Sequence, residues 1–232
     1  MSCGSVSGEK KGPEKLQIFM LRHGKPQFPG EDSYVYGHTD YPLSEFGARQ
    51  AAGMGKVLSG IRMDRIISSD LARAAGTARI VAGMQSGGGA EVEFTAEIRE
   101  VFMGEWDGLP KKYVTEKFPG LFRDRGLDLE NVAPPGGESF AMMRDRGMRF
   151  MSRLVGESAG IRRVLIVAHG GILWGMISSL FGIRLGDMFR FGLDYCALHL
   201  VEYSRKPEDP ESFRLVRYNW SPDLAVYEDL VH

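Results

Sequence analysis

Short, continuous apolar runs alternate along this chain with segments of helical periodicity. Runs of this kind are typical of strands that are buried on both faces of a parallel sheet. The pattern predicts four such strands, at residues 16–21, 64–68, 92–95 and 164–168. Because helical segments separate these strands, we predict an α/β fold with three layers, in which helices flank a mostly parallel central sheet.

Three segments place their apolar residues at helical spacing. They cover residues 44–59, 70–83 and 139–155. Ser44 and Asp70 are residue types that cap helix N-termini, and we predict that they begin the first two helices. Later in the chain, residues 196–203 alternate as a strand, and residues 213–220 are its expected hairpin partner.

The same pattern predicts a single domain with two polar ends. We expect residues 1–15 to be a disordered polar leader, residues 16–220 to form the domain, and residues 221–232 to be a C-terminal tail. Periodicity fails over residues 103–135, where the part from 110 to 131 resembles an insertion with short helices. We predict that this insertion is a lid beside the functional site.

Composition narrows the class of protein without indicating an activity. With 43% hydrophobic residues and a formal net charge of -1, the chain can bury a substantial core and offers no overall field for nucleic acid or an anionic membrane. No apolar run approaches the roughly 20 residues of a membrane helix. Two cysteines, Cys3 and Cys196, are too few for a disulfide framework or a cysteine metal cluster. We therefore expect a cytoplasmic protein with no nucleic-acid or membrane partner.

Two of the predicted strands end in a histidine that is followed by glycine. Arg22-His23-Gly24 follows the strand at residues 16–21, and His169-Gly170-Gly171 follows the strand at residues 164–168. Chemistry in such sheets lies at the carboxyl ends of the strands, so we expect both imidazoles in one pocket. The glycines allow backbone N–H groups to approach an anion closely. These features predict a pocket for an anion and for a covalent step on it.

Arg73 lies in the first turn of the second predicted helix, where the helix dipole disfavours a cation. Taken alone, it is better explained as a surface arginine in an ion pair. Beside free helix N–H groups, however, it is well placed to bind a phosphoryl group. Its occurrence together with the two histidine motifs favours this second interpretation.

Six ordered segments of the chain resemble motifs of the histidine phosphatase superfamily, in the branch that includes phosphoglycerate mutases and broad-specificity phosphatases. The matching segments are residues 21–24, 40–51, 68–78, 98–108, 135–139 and 167–171. The resemblance implies a phosphoglycerate mutase-like fold.

The resemblance also implies roles for particular residues. His23 would be the nucleophile and carry a transient phosphoryl group. The phosphoryl oxygens would be held by Arg22, Arg73, His169 and Gly170. Glu100 would protonate the leaving alkoxide and then deprotonate the attacking water. Glu105 and Asp107 are interpreted as structural. A cationic clamp of this kind can stabilise phosphoryl transfer without a metal, so we expect no metal and no cofactor.

The chain departs from the family pattern directly after Gly24. Relatives usually have an acidic or polar residue there, then threonine or serine, and asparagine further on, whereas this chain has Lys25, Pro26 and Pro29. Lys25 either contacts a second negative charge on the substrate or points to solvent. His38, in a loop that borders the predicted pocket, is a second candidate for contact with the substrate.

The leading hypothesis is a phosphatase that hydrolyses a small phosphorylated metabolite through phospho-His23. Residues 104–108 and 135–139 resemble the phosphatase branch, which includes the α-ribazole phosphatases. One alternative is phosphoryl transfer of the phosphoglycerate mutase type, for which Lys111 and Lys112 are candidate additional contacts. Another alternative is an inactive module that binds a phosphorylated ligand. The sequence leaves the oligomeric state open, a homodimer included.

Overall fold

The computed structural model describes residues 15–30, 32–87, 89–205 and 212–222. The predicted leader and tail lie outside these residues, apart from Lys15, which begins the first strand, and Ser221 and Pro222, which follow the last. The strands are β1 (Lys15–Arg22), β2 (Tyr34–Val35), β3 (Arg65–Ser69), β4 (Val92–Thr95), β5 (Leu109–Pro110), β6 (Arg163–Ala168), β7 (Leu198–Ser204) and β8 (Phe213–Trp220). The helices are α1 (Glu45–Leu58), α2 (Ala72–Gly83), α3 (Lys111–Lys117), α4 (Pro119–Leu127), α5 (Phe140–Gly156) and α6 (Gly170–Leu180).

The central sheet has the strand order β4-β3-β6-β1-β7-β8. The first four of these strands are parallel, and β7 and β8 extend the sheet in antiparallel fashion. Val167 of β6 pairs with Leu21 of β1 on one side and with Ser68 of β3 on the other. The carboxyl ends of these three strands are therefore level with one another.

Helices cover both faces of the sheet and produce the predicted three layers. Two core clusters lie on opposite faces. Met54 and Leu58 of α1 pack with Ala78 of α2 on one face, and residues of α5 and α6, including Phe150 and Trp174, pack on the other. Residues 164–168 of β6 are fully buried.

Residues 18–21 of β1 and residues 164–168 of β6 are continuously apolar because both faces of these strands are covered. The edge strand β4 was predicted to be buried in the same way, but its Glu93 and Phe94 are exposed. The predicted α/β class is confirmed.

The start of α2 differs from the prediction. Its N-cap is Leu71 rather than Asp70, and it has no side-chain cap. The Asp70 carboxylate instead forms two hydrogen bonds, of 2.6 and 2.5 Å, with the Arg99 guanidinium. The N–H of Ala72 donates to Asp40 Oδ1 at 2.6 Å. The Asp70 carboxylate therefore forms charge-assisted hydrogen bonds with Arg99 instead of capping α2.

The late strand also begins two residues later than predicted, at Leu198. Cys196 has a φ of 57°, which belongs to the left-handed region and cannot continue a pleated strand. Its N–H donates to the carbonyl oxygen of His23 at 3.1 Å. This turn therefore lies directly beside the carboxyl end of β1.

The predicted insertion contains short helices. After a 3₁₀ turn at Gly104–Trp106, β5 pairs with β2, and α3 and α4 follow. The fully buried Trp106 packs against Phe118 and Phe122, with ring centres 5.8 and 5.9 Å away. Movement of this segment as a lid stays a prediction. In the described part of the chain, no helix is both long and apolar enough to cross a membrane.

Candidate active site

The carboxyl ends of four parallel strands each supply a predicted site residue. Arg22 and His23 are at the end of β1, and His169 follows β6 as the N-cap of α6, which begins at Gly170. Arg73 follows β3 as the second residue of α2, and Glu100 follows β4 after a 3₁₀ turn at Ala96–Ile98. The rings of His23 and His169 have centres 4.9 Å apart. The structure therefore brings these residues to one edge of the sheet.

His23 is held in a single orientation by the backbone. Its Nδ1 lies 2.7 Å from the carbonyl oxygen of Gly24, which can only accept a hydrogen bond. Nδ1 therefore carries the proton, and Nε2 keeps a free electron pair. Burial, with the charges of Arg22 and Arg73, holds the pKa of His23 well below its ordinary value. The neutral imidazole has the electronic form that a nucleophile requires.

Gly24 fixes the loop that holds this histidine. Its N–H donates to the hydroxyl of Thr77 at 3.0 Å. A side chain at position 24 would overlap the carbonyl group of Gly47 at the start of α1. The glycine after His23 therefore serves close packing between the loop and α1 as well as the histidine orientation.

His169 is completely buried next to His23. Its Nε2 lies 2.9 Å from the hydroxyl of Ser69, while its Nδ1 is buried without a partner. Burial first, and then the positive charge of Arg73, holds the pKa of His169 well below its ordinary value. Buried polar nitrogens are rarely left unpaired, so the free Nδ1 indicates a place for a ligand atom.

Arg22 and Arg73 each have an N–H group that is not used in a hydrogen bond to any described residue. Arg73 is fully buried and donates to the carbonyl oxygens of Thr39 and Gly37 at 3.0 and 2.6 Å. Arg22 donates to the carbonyl oxygen of Leu193. The Nε of each arginine is buried without a partner, and within the described residues neither forms an ion pair. Arg73 is buried and Arg22 is half-buried, and unpaired N–H groups on two such cations favour an anion between them.

Glu100 is oriented by two backbone amides. Its Oε1 accepts from Val101 N–H at 3.0 Å, and its Oε2 accepts from Gly171 N–H at 2.9 Å. A side chain at position 171 would overlap the Glu100 carboxylate. The second glycine after His169 therefore allows the Glu100 side chain to approach the N-terminus of α6.

Arg146 supports the site, although no motif in the sequence indicates this role. From α5 it donates to the carbonyl oxygens of Glu97, Arg99 and Glu100 at 2.8, 3.0 and 3.2 Å. Its guanidinium also forms an ion pair with Glu138 at 2.8 Å. Arg146 therefore fixes the loop that ends in Glu100. Nothing in the local sequence distinguishes it from the other arginines of α5.

Asp107 supports the loop at residues 37–39, whose carbonyl groups accept hydrogen bonds from Arg73. Its Oδ1 accepts from the N–H groups of Gly37 and Thr39 at 3.1 and 2.9 Å, and its Oδ2 accepts from His38 N–H at 2.8 Å. Burial raises the pKa of Asp107, but the hydrogen bonds from the Thr39 hydroxyl and from these amides outweigh burial and lower it. Since Arg73 donates to carbonyl groups of the same loop, Asp107 positions Arg73 indirectly.

We expect the Asp107→Asn variant to lose about 1–3 kcal/mol of unfolding free energy and about 10- to 100-fold in kcat/KM, because an amide NH2 replaces one of the two acceptor oxygens that hold the loop beside Arg73. Denaturant titration and steady-state kinetics measure these losses. The stability difference is present above about pH 4, the ordinary pKa of aspartate, and disappears as the pH falls through the lowered pKa. The exposed neighbour Glu105 supplies the control. Equal losses in Asp107→Asn and Glu105→Gln would contradict the positioning role.

The two candidate substrate contacts lie in different surroundings. The Lys25 ammonium lies 5.8 Å from the centre of the Phe46 ring. His38 Nε2 lies 2.9 Å from the carbonyl oxygen of Glu100, and its ring centre is 4.8 Å from that of Phe102. Their contact with a substrate stays a prediction. Within the ranges that the structure covers, no group of three or more His, Cys, Asp or Glu side chains is arranged to hold a metal ion.

Comparison with known proteins agrees with this architecture. Residues 18–221 match the model of the histidine phosphatase superfamily, branch 1. A glucosyl-3-phosphoglycerate phosphatase from Mycolicibacterium vanbaalenii is 30% identical over 226 residues, which cover 93% of this chain and 98% of that protein. A probable phosphoglycerate mutase from Salmonella choleraesuis is 30% identical over 188 residues, or 81% of this chain and 85% of the mutase.

Solved structures show the same relationship. The crystal structure of an α-ribazole phosphatase from Shigella flexneri superimposes with a TM-score of 0.78 at 25% sequence identity, covering 88% of this chain and 96% of that one. The chain therefore belongs to branch 1 of the histidine phosphatase superfamily. It is a phosphatase, and hence a hydrolase.

Proposed function

We propose that this phosphatase hydrolyses a small phosphate monoester through a phosphohistidine on His23. The observation that carries the proposal is the hydrogen bond between His23 Nδ1 and the Gly24 carbonyl oxygen, which leaves Nε2 free to attack phosphorus. The adjacent guanidinium groups of Arg22 and Arg73 neutralise charge on the phosphoryl oxygens, and His169 Nδ1 donates to one of them.

The reaction proceeds in two displacements. In the first, His23 Nε2 forms a bond to phosphorus while the ester P–O bond breaks, and protonated Glu100 gives its proton to the leaving oxygen. In the second, a water oxygen attacks phosphorus, Glu100 takes the water proton, and the P–N bond breaks. The products are the alcohol and orthophosphate, and His23 and Glu100 return to their starting states.

The role of Glu100 as a proton donor gives a prediction that depends on the leaving group. We expect Glu100→Gln to slow phosphoenzyme formation by about 100-fold for an alkyl phosphate, whose alkoxide needs a proton. For p-nitrophenyl phosphate, whose phenolate leaves unaided, we expect less than about a tenfold effect. Single-turnover kinetics measure both rates. Equal losses with the two substrates would remove Glu100 from this role.

Hydrolysis is favoured over mutase-type transfer by the location of the candidate basic contacts. Lys111 and Lys112 line a cavity of about 530 Å³ with Asp32, Ser33 and Glu116, and none of the proposed catalytic residues is among its lining residues. The inactive module is disfavoured because the proposed nucleophile, clamp and carboxylate are all present at one edge of the sheet.

We include α-ribazole phosphate among the proposed substrates. A panel of p-nitrophenyl phosphate, α-ribazole phosphate and 3-phosphoglycerate tests the function, with phosphate release and 2-phosphoglycerate formation measured in parallel. We expect phosphate release with little isomerisation. Isomerisation of 3-phosphoglycerate that exceeds phosphate release would overturn the proposed hydrolysis. The substrate with the highest kcat/KM shows whether α-ribazole phosphate is preferred over the other two.

A further inference from the structure

Five half-buried aromatic side chains lie side by side next to the phosphate pocket. We call them the aromatic wall: Phe28, Tyr34, Tyr36, Tyr41 and Tyr195. The Phe28 ring centre is 5.1 Å from that of Tyr36 and 5.5 Å from that of Tyr41. Tyr34 stacks on the outer side of Phe28 at 6.3 Å. The rings therefore form one continuous surface.

The inner end of the aromatic wall contacts the phosphate-binding arginines. The Arg22 guanidinium lies 3.9 Å from the centre of the Tyr195 ring, and the Arg73 guanidinium lies 5.3 Å from that of Tyr36. The hydroxyl groups of Tyr36 and Tyr195 are hydrogen-bonded at 3.0 Å. The Tyr195 ring centre is 5.6 Å from that of His23. The wall therefore begins where the phosphoryl group would sit and extends outward from it.

The hydrophobic cores do not account for these rings. None of the five belongs to either core cluster or to the residues packed against those clusters. Phe28 also lies within residues 25–29, where this chain departs from the pattern of its family. Aromatic rings that line a pocket beside a few charged groups are typical of sites for apolar or planar ligands.

We propose that the aromatic wall binds the leaving group, and that the preferred substrates are phosphate monoesters whose alcohol carries an aromatic ring close to the ester oxygen. This inference rests on the proposed phosphatase function. An aromatic leaving group gains ring contacts along the wall. A polyol has no ring with which to make these contacts.

The test compares benzyl phosphate with glycerol 3-phosphate. Both release a primary alcohol, so the comparison reports on binding of the leaving group more than on its intrinsic reactivity. We expect kcat/KM of the wild-type protein to be at least about tenfold higher for benzyl phosphate, since each aromatic contact accounts for roughly a 2- to 10-fold effect. A ratio of one or below would overturn the inference but leave the phosphatase function intact. Release from neither substrate would overturn the inference, and absence of release from p-nitrophenyl phosphate as well would overturn the proposed phosphohistidine mechanism.

Two variants test whether the preference for benzyl phosphate depends on the aromatic wall. We expect Phe28→Leu and Tyr34→Leu each to lower the benzyl-to-glycerol ratio of kcat/KM about threefold or more, because leucine keeps an apolar side chain but removes the ring. Phe94 is the matched control: it is 44% exposed on β4, beside Arg79 and away from the wall. An unchanged ratio in both wall variants, or an equal fall in Phe94→Leu, would contradict the assignment.

Discussion

We expect the His23→Asn variant to release phosphate from p-nitrophenyl phosphate about 10³-fold more slowly than the wild-type protein, or slower still. Asparagine can still donate a hydrogen bond to the Gly24 carbonyl oxygen, so the loop is preserved while the nucleophilic Nε2 is removed. The measurement is steady-state phosphate release at saturating substrate. The remaining arginines can still bind the substrate, so the loss falls on kcat more than on KM.

The control for this variant is its binding of orthophosphate. Arg22, Arg73 and His169 are unchanged in His23→Asn, so orthophosphate should still raise its melting temperature. A folded variant that binds orthophosphate and keeps more than about a tenth of the wild-type rate would show that His23 is not the nucleophile.

The second large effect is expected for Arg73→Met, which keeps the length of the side chain and removes its charge. We expect kcat/KM for p-nitrophenyl phosphate to fall about 10³-fold, the size of effect that arginines exert on the transition state of phosphoryl transfer. Arg73 is fully buried, and burial lowers its pKa, so its charge is poorly solvated until an anion arrives. The phosphoryl group supplies that anion.

A stability measurement distinguishes this role from a structural one. At about 100 times its Kd, orthophosphate stabilises a one-site protein by about 2.7 kcal/mol. We expect the wild-type protein to show this gain and Arg73→Met to lose most of it at the same concentration. Arg79 on the exposed side of α2 is the matched control. If Arg79→Met and Arg73→Met lose activity to the same degree, the phosphate-binding role of Arg73 is wrong.

The centre of the sheet could be predicted because β1 and β6 are buried on both faces, which leaves a continuous apolar run in each of them. His23 and His169 could be placed in one candidate pocket for a related reason, since each follows a predicted buried strand. Glu100 was assigned only from the resemblance to histidine phosphatases. Ser44 illustrates a local rule that works, because its hydroxyl accepts the Gly47 N–H at 2.9 Å as a helix cap. Features that depend on residues close together in the sequence could therefore be predicted.

Features that depend on contacts between residues far apart in the sequence could not be predicted. Asp70 was predicted to cap α2 because a local rule favours aspartate there, but its partner is Arg99, 29 residues away along the chain. Arg146 supports the Glu100 loop from 46 residues away in sequence, and Tyr36 meets Tyr195 from 159 residues away. The periodicity of apolar residues and the spacing of motifs do not predict such pairs, because the two residues meet only when the sheet brings their segments together.

Trapping the covalent intermediate tests the central claim most directly. The protein is mixed with p-nitrophenyl phosphate, quenched within milliseconds in alkali, digested, and analysed by mass spectrometry for the phosphorylated residue. The two-displacement account predicts an alkali-stable, acid-labile phosphoryl group on His23 that forms as fast as p-nitrophenol is released. A phosphoryl group on another residue, or a burst of p-nitrophenol with no phosphoryl group on His23, would contradict it.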